Sequence, residues 1–206
     1  MHPYSIDSNE RERTVAVLAI LAVLLTWLFS LDANPVHIPS YWWVSAPSAM
    51  SIFGGLYTLF DKRLWKWSLL QKTGWIKTPD LSGLWEGKLE SSFYEGAEHP
   101  IPATLRINQT WTRIGVLLET STSSGRNMTG AIILDELRGP EFTYEFQGDP
   151  GALAPDTMHA HRGTARLFLE AEDSDYILAG EYYTGRDRRT LGTLRFRKAA
   201  QKPKPR

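Results

Sequence analysis

The sequence predicts a two-helix transmembrane hairpin at the N-terminus, followed by an all-β domain that forms an eight-stranded antiparallel up-and-down barrel. Three observations predict this fold. Two segments of 18 and 19 uncharged, mostly apolar residues lie within the first 60 positions. From Leu81 onward the pattern changes to short alternating runs broken by Gly, Pro, Asp and Asn, which is typical of β-strands. No segment of helical periodicity interrupts these runs, so parallel βαβ units are not expected.

The two apolar segments, Thr14–Leu31 and Trp42–Phe60, are each close to the length that crosses a bilayer as a helix. A short proline-containing connection between them suits a helical hairpin. That connection has no Lys or Arg, whereas basic residues precede the first segment and follow the second. By the positive-inside rule both termini are therefore expected to be cytoplasmic, as in a multi-pass membrane protein.

A cleaved signal peptide ending near Ala33 is the alternative for the first segment. The apolar stretch is long for a signal peptide, and no clear small-x-small cleavage site follows it. With two membrane spans, the chain divides into a membrane region (residues 1–77), a cytosolic barrel domain (78–198) and a basic tail that is expected to be disordered (199–206).

Small residues recur along the second apolar segment at a spacing that lets helix backbones approach closely in a membrane. They serve either to pack the two helices of the hairpin or to support assembly between copies of the protein. The residues are Ser45, Ala49, Ser51, Gly54 and Gly55.

The barrel domain is expected to contain eight strands joined by short turns. Closure of such a meander into a barrel removes both exposed sheet edges, and an open sandwich of the same strands is the alternative. The predicted strands are about 83–93, 101–110, 112–120, 125–135, 140–147, 160–170, 175–184 and 190–198.

The strand faces predict an interior that holds a small ligand rather than a solid aliphatic core. One face of the fifth strand carries Phe142, Tyr144 and Phe146, and one face of the seventh mixes Tyr176, Leu178, Gly180, Tyr182 and Thr184. An eight-stranded barrel is either filled with side chains or just wide enough for one small ligand. Faces that combine rings, hydroxyls and glycines favour the ligand.

The composition excludes several classes of function. The 23 basic and 23 acidic residues cancel, so binding to a nucleic-acid polymer is not expected. The chain has no cysteine, and it lacks a phosphate-binding loop, a nucleophile elbow and a zincin motif. Neither an enzyme nor a bound cofactor is therefore expected. His159 and His161 together with His99 form a possible zinc set, but no metal site is predicted from them.

The residues favour a ligand with flat rings and negative charge. Aromatic rings stack on bases, arginine binds phosphate through two parallel hydrogen bonds, and hydroxyls supply further donors. Between Asp80 and Gly185 there are only seven basic residues against 17 acidic ones, so the arginines of such a site must be well placed. The candidate ligand-binding residues are Trp85, Trp111, Thr112, Arg113, Thr120, Ser123, Tyr144, His161, Tyr182 and Arg186.

Four stretches and their order carry a resemblance to a known family. They are SGLWEG from Ser82, INQTWTRIGVLLETSTSSG from Ile107, HRGTARLFL from His161 and GEYYTGR from Gly180. Together with the preceding helical hairpin, they resemble the two-transmembrane, β-barrel effectors of bacterial CBASS antiphage systems, the CD-NTase-associated protein fifteen family. The resemblance covers nearly the whole chain, from the hairpin to about Lys198.

The resemblance implies a receptor-effector of the bacterial inner membrane. In that family, a partner nucleotidyltransferase (a CD-NTase) makes a cyclic dinucleotide during infection. The barrel binds this messenger, the proteins oligomerise through their membrane segments, and disruption of the membrane stops growth of the infected cell. Two alternatives remain open from the residues: a membrane-tethered, lipocalin-like carrier of an apolar ligand, and a barrel that serves only as an interaction module.

Overall fold

The computed structural model describes residues 1–30, 42–92, 100–172, 175–186 and 188–199. The chain divides into two compact units. One unit joins Met1–Asp7 to the residues from Thr78 onward, and the other comprises Ser8–Lys77. Each unit is described by itself below.

The first unit is a closed antiparallel barrel, as the sequence predicts. Its ten strands include two short N-terminal ones and the eight that form the barrel wall. They are β1 (His2–Pro3), β2 (Ser5–Ile6), β3 (Gly83–Ser91), β4 (Ile101–Gln109), β5 (Arg113–Thr120), β6 (Ser123–Asp135), β7 (Gly139–Pro150), β8 (His161–Glu172), β9 (Asp175–Thr184) and β10 (Leu191–Lys198).

The eight wall strands follow one another around the barrel in chain order, each antiparallel to the next. β10 returns to pair with β3 over seven residue pairs. The ring is completed where β5 meets β6, over three pairs from Leu117–Arg126 to Glu119–Ser124. This closed ring excludes the open sandwich.

The barrel interior is packed at one end by large apolar side chains. Trp85, Leu105, Leu167 and Phe196 are each fully buried within a single hydrophobic cluster. The alternation of inward and outward residues along β4, β7 and β8 produces this cluster, since one face of each strand meets the interior. Phe142, Tyr144 and Phe146 point inward as predicted, whereas Tyr176 is 54% exposed at the start of β9.

The N-terminal residues add a feature that hydrophobic patterning did not reveal. Met1–Asp7 fall within the predicted membrane region (residues 1–77), but in the structure these residues belong to the barrel unit. β1 lies antiparallel to β5, and β2 lies parallel to β6. A two-residue strand leaves no periodicity to read, and so only tertiary pairing defines it.

The second unit contains the apolar helices. Its elements are α1 (Glu10–Ser30), α2 (Trp42–Lys62), a 3₁₀ turn (Leu64–Lys66) and a short helix α3 (Ser68–Lys72). Glu10–Phe29 is long and apolar enough to cross a membrane, and it is the one such span among the residues described. α2 forms as a helix over the second predicted segment but is not such a candidate span, and the connection at 31–41 lies outside the described residues.

The two long helices pack through one face each. Thr14, Leu18 and Ala22 are buried along α1 at a spacing of four residues, and Phe60 is buried on α2. Of the predicted packing residues, Ala49 is half-buried, whereas Ser51, Gly54 and Gly55 are exposed. The side chain of Ser45 lies outside the described part. The two glycines therefore lie outside the described contacts between α1 and α2.

Gly180 marks a point where two barrel strands approach too closely for any side chain. A methyl group built on its Cα would overlap the carbonyl oxygen of Arg166 on the neighbouring strand. We expect Gly180→Ala to lower the free energy of unfolding by about 1–3 kcal/mol, as overpacking does. Chemical unfolding of the full chain in detergent, followed by near-ultraviolet circular dichroism, measures this change.

The matched control is Gly125→Ala in β6, where the nearest atom to the new methyl group would be 3.8 Å away. This variant should unfold at nearly the wild-type denaturant concentration. Equal losses in the two variants would contradict the close approach at Gly180.

Candidate functional site

A cavity opens at one end of the barrel. The ends of β5, β7 and β9 and the starts of β6, β8 and β10 meet there, and we refer to this end as the mouth. The opposite end, where β4 turns into β5, is the closed end. The cavity itself has a volume of about 60 Å³, which is smaller than the volumes of about 300–1,000 Å³ found for small-molecule sites, so a ligand of that size would also occupy the opening.

Aromatic rings form one wall of the cavity. Tyr144, Phe146, His161 and Tyr182 all line it. Phe146 is at the centre of this group, with its ring centroid 6.2 Å from His161 and 6.3 Å from both Tyr144 and Tyr182. Burial raises the pKa of the Tyr144 hydroxyl well above its usual value, so this group remains protonated and able to donate.

Hydroxyl groups surround the rings. Besides the two tyrosines, six serine and threonine residues of the lining carry one: Ser91, Thr120, Thr122, Ser123, Ser124 and Thr190. The Thr120 hydroxyl organises the β5–β6 turn, because it accepts a hydrogen bond from the Ser123 amide at 3.0 Å and lies 3.0 Å from the Ser123 hydroxyl. This hydrogen-bonded turn thus places several hydroxyl groups on the cavity wall.

Arg188 brings positive charge to the mouth. It lies in the loop between β9 and β10, which is held by Thr184 and Thr190: the Thr190 amide donates to the Thr184 hydroxyl at 2.8 Å. The Arg188 amide donates to the Gly185 carbonyl at 3.2 Å. This loop conformation positions the guanidinium so that Nη1 is 3.2 Å from Nδ1 of His161. Among the described lining residues, Arg188 is the one cation.

His161 stands between Arg188 and a backbone carbonyl. Burial lowers the pKa of His161 below its usual value; the charge of Arg188 acts in the same direction, while the His159 carbonyl and Asp149 oppose the shift. The imidazole is therefore neutral at pH 7. Its Nδ1 is also 3.0 Å from the His159 carbonyl oxygen. One tautomer donates to that carbonyl and the other accepts from Arg188, so Nδ1 serves one partner at a time.

A loop covers part of the mouth. Met158, in the connection between β7 and β8, is buried and lines the cavity. This connection is tied to the β5–β6 turn, because the Gly151 amide donates to the Thr122 carbonyl at 2.7 Å. In the described parts of the chain, three connections therefore meet at the mouth: the β5–β6 turn, the β7–β8 loop and the β9–β10 loop.

The structure brings half of the sequence-predicted binding residues together. Five of the ten line the cavity: Thr120, Ser123, Tyr144, His161 and Tyr182. The other five do not line it: Trp85, Trp111, Thr112, Arg113 and Arg186.

Those five residues have other surroundings. Trp85 is buried in the packed half of the barrel, where its indole N–H donates to the Leu81 carbonyl at 2.9 Å. Trp111, Thr112 and Arg113 belong to the β4–β5 turn at the closed end. Arg186 is exposed on the β9–β10 loop, outside the lining. None of them shares the enclosed space with the aromatic wall.

Sequence reasoning missed Arg188, Met158 and Thr190 as parts of the site. Arg188 belongs to a run of arginines at a hairpin tip, and only the loop conformation selects it over its neighbours. Met158 stands in a long connection without periodicity. Within the described parts of the chain, no group of three His, Asp or Glu side chains is placed to hold a metal ion, and His99 lies outside those parts.

Comparison with known proteins bears on this site. Residues 76–198 match the family described as "Cap15, cyclic dinucleotide receptor domain". The chain is also similar to CD-NTase-associated protein 15 of Yersinia aleksiciae, with 33% identity over 172 residues. The aligned region covers 82% of this chain and 77% of that protein. The matched segment includes every residue of the cavity lining.

The depressed pKa of His161 predicts a pH-dependent stability. As the pH falls below about 6.5, the unfolded chain takes up a proton on this histidine before the folded chain does. The free energy of unfolding should therefore decrease through this window and recover above it. Denaturant unfolding of the wild type and His161→Asn between about pH 5 and about pH 7.5 isolates the effect. Parallel curves for the two proteins would contradict it.

Proposed function

Because this chain belongs to the CD-NTase-associated protein fifteen family, we propose that it is a receptor whose mouth cavity binds a cyclic dinucleotide. The relationship supplies the ligand class, and the cavity supplies the chemistry. The proposed role is recognition of a messenger that a CD-NTase produces, without catalysis by this chain.

The observation that carries the proposal is the meeting of rings, hydroxyls and one arginine in a single recess. A cyclic dinucleotide has two flat bases and two phosphates. Tyr144, Phe146 and Tyr182 offer ring surfaces for the bases, since base–aromatic stacking contributes about 1–3 kcal/mol per base. Arg188 offers a planar fork that matches a phosphate.

Arg188 is also placed to change partners. Its contact with neutral His161 is an uncharged pairing for a guanidinium, and a phosphate is a stronger acceptor. If a phosphate draws Arg188 away, Nδ1 of His161 can donate to the His159 carbonyl instead. Nδ1 of the imidazole keeps a hydrogen-bond partner through this exchange.

We propose further that the helical unit crosses the inner membrane twice. Met1–Asp7 and the strands from Gly83 onward belong to one barrel, so both connections to the helices start on the same side of the membrane. If α1 crosses, the chain must cross back before Thr78, and α2 is the segment available. The absence of Lys and Arg between the helices supports cytoplasmic termini.

The effector step proposed is assembly through the second helix, followed by membrane disruption and growth arrest of the infected cell. Gly54 and Gly55 lie on the face of α2 that is exposed in the single chain, and a methyl group added at either would meet no atom within 4 Å. Small residues on such a face let the helix of another copy approach closely in lipid.

Thermal unfolding of the full chain in detergent, with a panel of cyclic di- and trinucleotides and one fatty acid, tests the receptor proposal. A ligand present at about 100 times its Kd stabilises the folded protein by about 2.7 kcal/mol. Stabilisation by a cyclic dinucleotide supports the proposal. Stabilisation by the fatty acid alone would indicate the apolar carrier, and stabilisation by none would leave the interaction module.

Arg188→Ala should weaken binding of the cyclic dinucleotide by about tenfold or more, since a charge-assisted hydrogen bond contributes about 1.5–3 kcal/mol. The affinity of Arg188→Lys should lie between those of the unaltered protein and Arg188→Ala, because a lysine keeps the charge without the planar fork of the guanidinium. Isothermal titration calorimetry measures each affinity.

Arg186→Ala, two positions away on the same loop, is the comparison variant. Its side chain is exposed and outside the lining, so its effect should stay within about twofold, as expected of a rim charge. A larger loss in Arg186→Ala than in Arg188→Ala would place the phosphate outside the cavity.

Gly55→Leu should prevent ligand-induced assembly and toxicity while cyclic dinucleotide affinity is unchanged, because the leucine blocks close helix approach and Gly55 is not among the residues that line the cavity. Cross-linking in lipid nanodiscs and a growth assay measure assembly and toxicity. The control variant is Ser68→Ala, at the start of α3. Gly74→Ala is not a suitable control, because Gly74 has a φ of +70°. Loss of ligand binding in Gly55→Leu would mean that the substitution acts through folding instead.

A further inference from the structure

The junction between β5 and β6 is the weakest in the barrel wall. The two strands pair directly over three residue pairs, whereas every other junction in the described wall has at least seven. The direct ladder occupies only the mouth half of the junction. Towards the closed end the strands separate, and we refer to the gap between them as the seam.

Asn127 stands where the strands separate. Its side-chain oxygen accepts a hydrogen bond from the Val116 amide at 2.8 Å, in the position where the next backbone pair would stand. A register shift follows in β6 between Asn127 and Thr129. The side chain of Asn127 therefore ends the direct ladder and begins the seam.

The N-terminal segment Met1–Asp7 fills the seam. His2 pairs with Ile114 on β5, and Ile6 pairs with Ile132 on β6. The Asp7 carboxylate accepts a hydrogen bond from the Leu134 amide at 2.8 Å. The segment thus supplies the backbone partners that β5 and β6 do not supply to each other.

Tyr4 anchors the segment in the barrel core. Its side chain is 3% exposed and belongs to the hydrophobic cluster. Its hydroxyl donates to the Trp111 carbonyl at 2.9 Å and accepts from the Gln109 amide group at 3.3 Å. The same Gln109 side chain accepts from the Leu81 amide at 2.8 Å. Tyr4 therefore joins the N-terminus to the start of β3 through one buried network.

The seam and the cavity share the same two strands. The lining residues Leu118, Thr120, Ser123, Ser124 and Gly125 come from the mouth half of β5 and β6. Leu118, Ser124 and Gly125 belong to the direct ladder itself, and Asn127 and then the N-terminal segment follow towards the closed end. The segment leads through Ser8 and Asn9 into α1. The row of pairing therefore extends from the cavity to the N-terminal segment, which precedes α1 in sequence.

We propose that the seam is a strand-acceptor site for an extended peptide, occupied in this chain by its own Met1–Asp7, and that occupancy of the seam orders the mouth of the barrel. With the seam filled, β5 and β6 are held in register along their whole length. With the seam empty, three backbone pairs and Asn127 alone close the wall, and both strands expose unpaired edges.

The part of this inference that concerns the ligand rests on the proposed function. Because seam filling holds the lining turn in place, it should strengthen cyclic dinucleotide binding. By linkage, the ligand must then strengthen docking of the N-terminal segment by the same factor. Messenger binding would in this way hold the segment that leads into α1 more tightly in the barrel, without the ligand contacting the helix.

Hydrogen–deuterium exchange of the full chain in nanodiscs tests the seam without any ligand. We expect Tyr4→Ala to accelerate exchange of the amides in the direct ladder, Leu117–Glu119 and Ser124–Arg126, by about tenfold or more relative to those of β8 and β9. The matched control is His2→Ala, on the same segment but exposed, which should leave both regions unchanged. A tenfold effect is of the expected size, because coupling between two sites commonly changes an affinity by about 5–150-fold.

A chain that lacks residues 1–7 provides the second variant. Adding a synthetic peptide of sequence MHPYSID at millimolar concentration, which matches the effective concentration of a short tether, should restore slow exchange in the direct ladder. The same peptide with Tyr4→Ala should not. Restoration by neither peptide, or acceleration that is equal in β8 and β9, would overturn the strand-acceptor site.

The ligand arm uses calorimetry on the same proteins. Tyr4→Ala should weaken cyclic dinucleotide binding by about tenfold, and His2→Ala should not. Unchanged affinity together with accelerated ladder exchange would overturn the link to the cavity. If the unaltered chain binds no cyclic dinucleotide, the proposed function fails, while the exchange measurement still decides the strand-acceptor site.

Discussion

Closure of the barrel wall between β5 and β6 is the constraint on which the rest of the structure depends. An up-and-down barrel has no free edge only if its last junction is made, and here that junction has three direct backbone pairs. Towards the closed end, Asn127 and the N-terminal segment complete the junction by pairing with β5 and β6. Buried backbone groups need partners, and a strand from the far N-terminus provides them. As a consequence, Met1–Asp7, which precede the helices in sequence, belong to the same domain as the strands that follow the helices.

The interior is divided between two tasks along the barrel axis. Near the closed end, Trp85, Leu105, Leu167 and Phe196 fill the space and stabilise the fold through apolar burial. Near the mouth, the inward positions change to Tyr144, Phe146, Tyr182 and hydroxyl residues, and space remains between them. A barrel of eight strands is too narrow to hold both a full core and a ligand at one level. Separation along the axis is how this chain accommodates both.

Patterning predicted the strands because alternation reports directly which residues face the interior. Tyr144 and Tyr182 were placed in the site for this reason, and His161 because it lies in a stretch that resembles the family. Trp111 and Arg113 were grouped with Thr120 and Ser123 on closeness in sequence. Successive turns of a meander alternate between the two ends of the barrel, so the β4–β5 turn and the β5–β6 turn are at opposite ends. The predicted topology already contained that distinction.

Other parts of the structure had no signal in the sequence. Alternation of apolar and polar residues identifies a strand only when the strand is several residues long, and β1 and β2 have two residues each. The choice of Arg188 over Arg186 depends on the Thr184–Thr190 bonds and on a loop whose Arg189 has a φ of +50°. Such positions are decided by hydrogen bonds between distant residues. Local propensity carries no information about them.

The most direct measurement of the central claim is photo-crosslinking of the full chain with an azido-substituted cyclic dinucleotide, followed by mass spectrometry of the labelled peptides. Binding in the mouth predicts label on peptides from the β5–β6 turn, on Tyr144 to Phe146 and on the loop that contains Arg188. An excess of the unmodified nucleotide should remove that label. Label confined to the β4–β5 turn around Trp111 and Arg113, at the closed end, would contradict a receptor site in the mouth.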